Sequence, residues 1–162
     1  KPVREGRRGG ATRQPRDLRE RALGLLARRE HSRVELARKL RPHAESPEAL
    51  VSLLDELEKR KLLSDARYAE ARSHSLGRRF GSARIAHELR ASGVSSALVD
   101  AAVQQARSAD LERAKAAWAK RFGRAPADAL ERAKQMRFLA GRGFGQDVIR
   151  KVIAGADDDL EG

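Results

Sequence analysis

The stretch RRFGSARIAHEL, residues 78–89, recurs along the chain, and its recurrence decides the fold. Shifted by 64 positions it overlays RGFGQDVIRKVI (142–153) without a gap: Arg78 meets Arg142, Phe80 meets Phe144, Gly81 meets Gly145, Ile85 meets Ile149 and Leu89 meets Ile153. Shifted by 49 positions the other way it overlays REHSRVELARKL (29–40), where Arg29, His31, Ser32, Leu36, Ala37 and Leu40 take the corresponding places. Each copy reads as a turn, Arg-x-[Phe/His]-[Gly/Ser], followed by a helix with one apolar stripe. The pattern predicts an all-α chain of three tandem three-helix repeats, with this turn joining the first and second helix of each.

Helix signals extend outward from the turns. Asp17/Glu20 and Ser32/Glu35 have capping-box spacing, and Ser46-Pro47-Glu48 sets a cap residue before a first-turn proline and an acid. Leu50, Leu53, Leu54 and Leu57 supply the apolar face of the helix that follows. In the second repeat a helix opens at Asp65 and runs to about Arg78. Another opens at Gly81-Ser82 and stops at Ser92-Gly93, and a third opens at Ser95-Ser96. No Gly or Pro interrupts Ser96 to Phe122. That predicts one helix of roughly 25 residues, about 38 Å long. A further helix starts near Ala127 with Leu130, Ala133, Met136, Phe138 and Leu139 as its apolar residues, and breaks at Gly141, Gly143 and Gly145. Val148, Ile149, Val152 and Ile153 mark the last. The resulting division is a disordered basic arm at 1–16, repeats at 17–63, 64–123 and 124–155, and an acidic tail at 156–162.

Composition agrees with helices. Of the 162 residues, 28 are Ala, and Leu, Ile, Val and Phe together number only 34, so the core must be thin. Few aromatic and β-branched residues argue against a β-sandwich. The net charge is +12, of which the arm carries +5 and the tail −4, leaving +11 on residues 17–155. A folded part so basic suits a polyanion or an acidic protein surface. Cysteine is absent, which removes disulfides, thiol chemistry and Cys-ligated metal sites. No apolar run approaches the length that crosses a bilayer, and no apolar signal segment opens the chain, so a cytoplasmic protein is expected.

No catalytic constellation assembles from the sequence. The four histidines, His31, His43, His74 and His87, lack the i, i+4 pairing with an intervening Glu that makes a helical zinc site. Gly141-Arg142-Gly143-Phe144-Gly145 is glycine-rich but follows a helix and lacks a terminal Gly-Lys-Ser/Thr. Tyr68 and Trp118 lie beside Ala and Leu on helix stripes and read as core. No metal or other cofactor is expected, and the chain reads as a non-enzyme.

HSRVELARKL (31–40), LLSDARYAE (62–70) and the R-R-F-G…I-x-x-E-L-x-x-x-G-V pattern of 78–94 resemble the bacterial RecX regulatory proteins. The R-G-F…V-I of 142–149 resembles that family's weaker C-terminal unit, so the resemblance spans about residues 18–155. It implies a curved, elongated monomer of three-helix repeats in the cytoplasm whose partner is the RecA recombinase. RecX-like proteins lie in the groove of RecA filaments on single-stranded DNA. There they restrain filament growth, ATP hydrolysis, strand exchange and co-protease activity, and so act in DNA repair, homologous recombination and the SOS response. The resemblance brings no catalytic residue.

The basic turns supply the candidate contact. Arg29, Arg78 and Arg142, with Arg28, Arg79, Arg84, Arg150 and Lys151 nearby, would form one row if the repeats stack in register. Such a row suits a RecA filament, single- or double-stranded DNA, or both. The same residues also fit a direct DNA-binding helical-repeat protein with no recombinase partner, and an adaptor for an unrelated acidic protein. As capping groups on helix C-termini, the arginines would instead be structural. The missing constellation predicts that purified protein shows no nuclease or nucleotide hydrolase activity, with or without Mg²⁺. A turnover that survives repurification and disappears with one point substitution would contradict it.

Overall fold

The computed structural model describes residues 17–158; the basic arm 1–16 and the end of the acidic tail, 159–162, lie outside them. Eight α-helices and one 3₁₀ turn make up the described chain. The helices are α1 (Leu18–Arg28), α2 (Arg33–Leu40), α3 (Pro47–Lys59), α4 (Asp65–Gly77), α5 (Ser82–Ala91), α6 (Ser96–Arg121), α7 (Ala129–Gly141) and α8 (Gln146–Asp158).

Local chemistry fixes most helix starts. The Ser32, Ser46, Ser64 and Ser95 hydroxyls each accept a bond from the amide three residues on, and the Asp128 carboxylate does the same for Glu131. Each bond satisfies one of the amides that a helix leaves unpaired at its start. Asp17 differs: it stands at the cap position of α1 but makes no side-chain capping bond.

The apolar stripes gather into three cores. Ala22, Leu36, Leu40, Leu50, Leu54, Leu57 and Leu63 form the first. The second contains Tyr68, Leu76, Ile85, Leu89, Val94 and Val99. Ala114, Leu139, Phe144, Ile149, Val152 and Ile153 form the third. Helix α6 serves two of them: Val99 and Ala106 lie in the second core, while Ala114, Leu111, Ala117 and Trp118 lie in the third. Its 26 residues extend about 39 Å. The third unit therefore takes its first helix from the second half of α6, followed by α7 and α8.

This sharing changes the register of the repeats. The turn before α8 matches the turn before α6, not the turn before α5. Gly143 and Gly93 both take left-handed backbone (φ 87° and 75°), and both precede a buried apolar residue, Phe144 or Val94. Arg142 thus stands between the second and third helices of its unit, where Ser92 stands in the unit before. Arg29 and Arg78 do lie between first and second helices. The 64-residue overlay followed a shared Phe-Gly and Ile pattern across two different turns.

Inside α7, Leu130 is 77 % exposed, although the apolar pattern had placed it on the helix stripe. The buried positions are Gln135 and Leu139, one turn apart. Gln135 tolerates complete burial because its Oε1 accepts from Trp118 Nε1 at 2.8 Å and its Nε2 donates to the Arg124 carbonyl at 3.2 Å. Trp118 and Tyr68 both pack into cores, as their neighbours in sequence suggest.

The units join by a construction that occurs twice. At the first joint the Asp65 carboxylate accepts from the Arg33 amide at 2.7 Å, and Ser32 Oγ donates to the Ser92 carbonyl at 2.7 Å. At the second, the Asp110 carboxylate accepts from the Ser82 amide and hydroxyl, the latter at 2.7 Å. There the Gly81 and Ala83 amides donate to the Arg142 and Gly143 carbonyls, at 2.8 and 3.2 Å. Both joints press a left-handed glycine onto the preceding unit. A Cβ on Gly93 would stand 2.6 Å from Val34 Cβ, and one on Gly143 would stand 2.6 Å from Arg84 Cβ. Gly93→Ala and Gly143→Ala should therefore each destabilise the fold by about 2 kcal/mol or more, from left-handed strain plus overpacking. Gly155→Ala, in open space on α8, should leave stability unchanged or raise it by up to about 1 kcal/mol. Urea unfolding followed by circular dichroism separates the two outcomes.

Candidate basic interface

The turn between α4 and α5 has Phe80 at its centre, half-buried against the second core. Three guanidinium groups surround its ring: Arg84 at 5.0 Å from the centroid, Arg79 at 5.7 Å and Arg142 at 5.9 Å. Arg142 reaches this place from the third unit, because the second joint holds its backbone against Gly81. Its Nη1 donates to the Arg79 carbonyl at 3.3 Å, and its guanidinium also lies 5.0 Å from the Phe138 ring. Phe138 meets Phe122 edge to face at 5.3 Å, and Arg121 lies 5.9 Å from Phe122. The result is a continuous surface of arginine over aromatic rings, spanning two units.

Ring faces carry partial negative charge, so they hold a guanidinium in place without neutralising it. Arg84 also pairs with Glu88 at 3.3 Å, and Arg72 shares that carboxylate at 3.6 Å. Arg79 and Arg142 have no carboxylate within 4 Å among the described residues. Their hydrogen-bonding edges remain available for planar carboxylate or phosphate groups.

The other sequence-picked residues are placed differently. Arg78 is exposed at the end of α4, and Arg28 at the end of α1. Arg150 and Lys151 occupy exposed positions on α8. Arg29 is already engaged: its guanidinium donates to both Glu35 oxygens and to the Glu30 carbonyl. The bond to Glu35 raises the Arg29 pKa further above its ordinary value. Burial alone would push the Glu35 carboxyl up, but the Arg29 bond and charge outweigh it and hold that carboxyl below the usual range. Arg29 is therefore paired with a carboxylate of its own turn. The arginines that converge are Arg79, Arg84 and Arg142, not the set at one sequence register.

His31, the counterpart of Phe80 in the first unit, is buried. Its Nε2 accepts from Lys39 Nζ at 3.1 Å, so Nδ1 carries the proton and donates to the Arg29 carbonyl at 3.0 Å. Burial, helped by the charges of Arg29 and Lys39, outweighs the bond to the Arg29 carbonyl and pushes its pKa below the ordinary 6.5.

Comparison with known proteins finds relatives along most of the chain. A sequence profile described as the second three-helix domain of RecX matches residues 64–103, and one for the third three-helix domain matches residues 108–153. The break between them falls inside α6. "Regulatory protein RecX" of Ralstonia pickettii (strain 12J) is 51 % identical over 149 residues, covering 92 % of this chain and 94 % of that protein. The protein of the same name from Chromobacterium violaceum is 49 % identical over 146 residues, covering 90 % and 95 %. The crystal structure of RecX from Lactobacillus salivarius shares the fold with a TM-score of 0.74 at 21 % identity, covering 86 % of this chain and 94 % of that one.

The state of His31 predicts a pH dependence. An unfolded chain takes up a proton near pH 6.5 that the folded chain accepts only at lower pH. Stability should therefore be level above about pH 7 and fall between pH 7 and 5. His31→Phe, which installs the residue type found at Phe80 in the second unit, should flatten that fall. Urea midpoints measured across this range decide it; equal slopes in both proteins would assign the titration elsewhere.

Proposed function

The chain belongs to the RecX family of regulatory proteins, and from that premise we propose that it binds RecA filaments on single-stranded DNA and restrains them without chemistry of its own. In this reading it acts in the cytoplasm as a monomer. It limits RecA ATP hydrolysis, strand exchange and co-protease activity by occupying the filament. Three small units in series give a long surface for little volume, which suits lying along another polymer.

The observation that carries the reading is the convergence of Arg79, Arg84 and Arg142 on Phe80 across the joint between two units. Single exposed charges bind weakly because water and salt screen them. Three guanidiniums held by one ring and one backbone joint lose less freedom on binding than three independent side chains. They present a fixed cationic patch to acidic groove residues or to DNA phosphates.

The same patch supports a second reading, direct DNA binding, because stacked arginine and phenylalanine also suit a nucleic-acid strand. Salt dependence separates the two. A DNA binder holds naked DNA with a steep salt slope, whereas a filament regulator requires the recombinase for its tight binding.

The decisive assay is RecA ATPase on single-stranded DNA with sub-stoichiometric amounts of this protein. The triple variant Arg79→Ala, Arg84→Ala, Arg142→Ala should need about ten- to hundredfold more protein for the same inhibition, while keeping its helical circular dichroism. Arg29→Ala should change the inhibitory concentration little, because Glu35 already occupies that guanidinium. Inhibition by a folded triple variant at the wild-type concentration would move the contact elsewhere on the molecule.

A further inference from the structure

Helix α3 carries four acids against one lysine, the largest acidic excess of the eight helices, in a chain whose net charge is +12. Glu48, Val51, Asp55 and Glu58 follow at i, i+3, i+7 and i+10, so they share one face of the helix. All four are exposed, and Val51, inside the stripe, is 50 % exposed. Among the described residues, one cation lies within 4 Å of these carboxylates: Arg33, whose Nη1 is 2.8 Å from Asp55 and 3.1 Å from Glu58. Glu48 pairs with none of the described cations. An exposed valine among carboxylates that outnumber their cations fits a ligand with cationic heads on apolar stems, which is what arginine side chains are.

The chain carries such a segment next to this face. Residues 1–16 hold five arginines and a lysine against Glu5. They lead into Asp17, the cap position of α1. The first turn of α1 is fastened to α3, where Arg19 Nη1 donates to Glu56 Oε1 at 2.6 Å. Sixteen residues can span about 53 Å when extended, against about 20 Å for the length of α3, so the arm can cross from Glu56 to the stripe and follow it. A tethered segment meets its site at roughly millimolar effective concentration, so exposed charge pairs too weak to hold a free peptide suffice here.

We propose that residues 1–16 dock on the Glu48–Val51–Asp55–Glu58 stripe of their own chain. Guanidinium groups of the arm pair with Glu48 and with the carboxylate oxygens that Arg33 leaves open, and arginine methylenes cover Val51. The charge of the arm is then neutralised within the first unit, and the cluster around Phe80 is left as the outward cationic face. This contact does not rest on the filament reading, since the test uses the chain alone.

The chain has no cysteine, so Ala11→Cys gives a single attachment point for a nitroxide on the full ¹⁵N-labelled protein. In dilute buffer the amide signals of Glu48, Val51, Ser52 and Asp55 should lose about half their intensity or more relative to the reduced label. They should recover in about 1 M NaCl, where the screening length is about 3 Å. Glu48→Gln combined with Val51→Ser, both at exposed positions, should cut the broadening by about threefold or more. Glu112→Gln, the same loss of charge at an exposed position of α6, should leave it unchanged. Circular dichroism checks that both variants stay helical. No broadening on α3 in dilute buffer would overturn the proposal, as would broadening that the double variant leaves intact or that Glu112→Gln reduces equally. A labelled ¹⁴N chain mixed with unlabelled ¹⁵N chain is the last control: broadening passed between molecules would assign the arm to a second copy and overturn docking within one chain.

Discussion

A carboxylate on the first helix of one unit accepts from the first amide of the second helix of the unit before it, and the tandem arrangement depends on that interaction. Asp65 does this for Arg33 and Asp110 does it for Ser82. A helix start carries unpaired amides and a partial positive charge, so a carboxylate arriving there is favoured twice, by bonding and by field. Placing the acceptor on a different unit ties a local need of one helix to the docking of the next. The left-handed glycines 93 and 143 make the approach close enough for it to work, since either side of the contact would collide with a Cβ. Three small cores are thereby held in one sequence of contacts.

The same joint creates the basic surface. Arg142 belongs to the third unit and Phe80 to the second, yet the backbone bonds from Gly81 and Ala83 bring them together. Charge placement in this protein is thus a consequence of packing between units rather than of any single helix. The first joint follows the same plan but ends differently. There the arginine of the turn, Arg29, turns back onto Glu35, and a buried neutral histidine takes the place of the phenylalanine. At one joint the arginine is paired with a carboxylate of its own turn, and at the other it joins an exposed cationic face.

Much of the fold was legible in the sequence because its signals are local. The capping serines 32, 46 and 95 open helices where they were expected, and the uninterrupted run from Ser96 forms a single helix ending at Arg121. What escaped was non-local. Asp110 sits mid-helix, where a carboxylate usually faces water, and only the neighbouring helix start explains its burial. Gln135 reads as surface until its bond to Trp118 is known, and Leu130, which reads as core, points out. The register of Arg142 was hidden because a shared helix leaves no turn, and so no Gly or Pro, to mark where the third unit begins. Of the candidate arginines, sequence spacing gathered Arg29, Arg78 and Arg142; space gathers Arg79, Arg84 and Arg142. A side chain's neighbours across a joint leave no period to read.

Because α6 belongs to two cores at once, it sets an angle as well as a distance. Each residue of an α-helix advances the chain by about 1.5 Å and turns it by about 100°. The number of residues between Ala106, in the second core, and Ala114, in the third, therefore encodes the orientation of one unit about the other. Elsewhere in the chain a connecting loop can absorb an insertion or deletion. In α6 a single added residue would swing the third unit by more than a quarter turn, parting Arg142 from Phe80 and Asp110 or Ala114 from its partners. Helix length is here under a phase constraint, like the tooth count of a gear, and the segment has no freedom to drift by one.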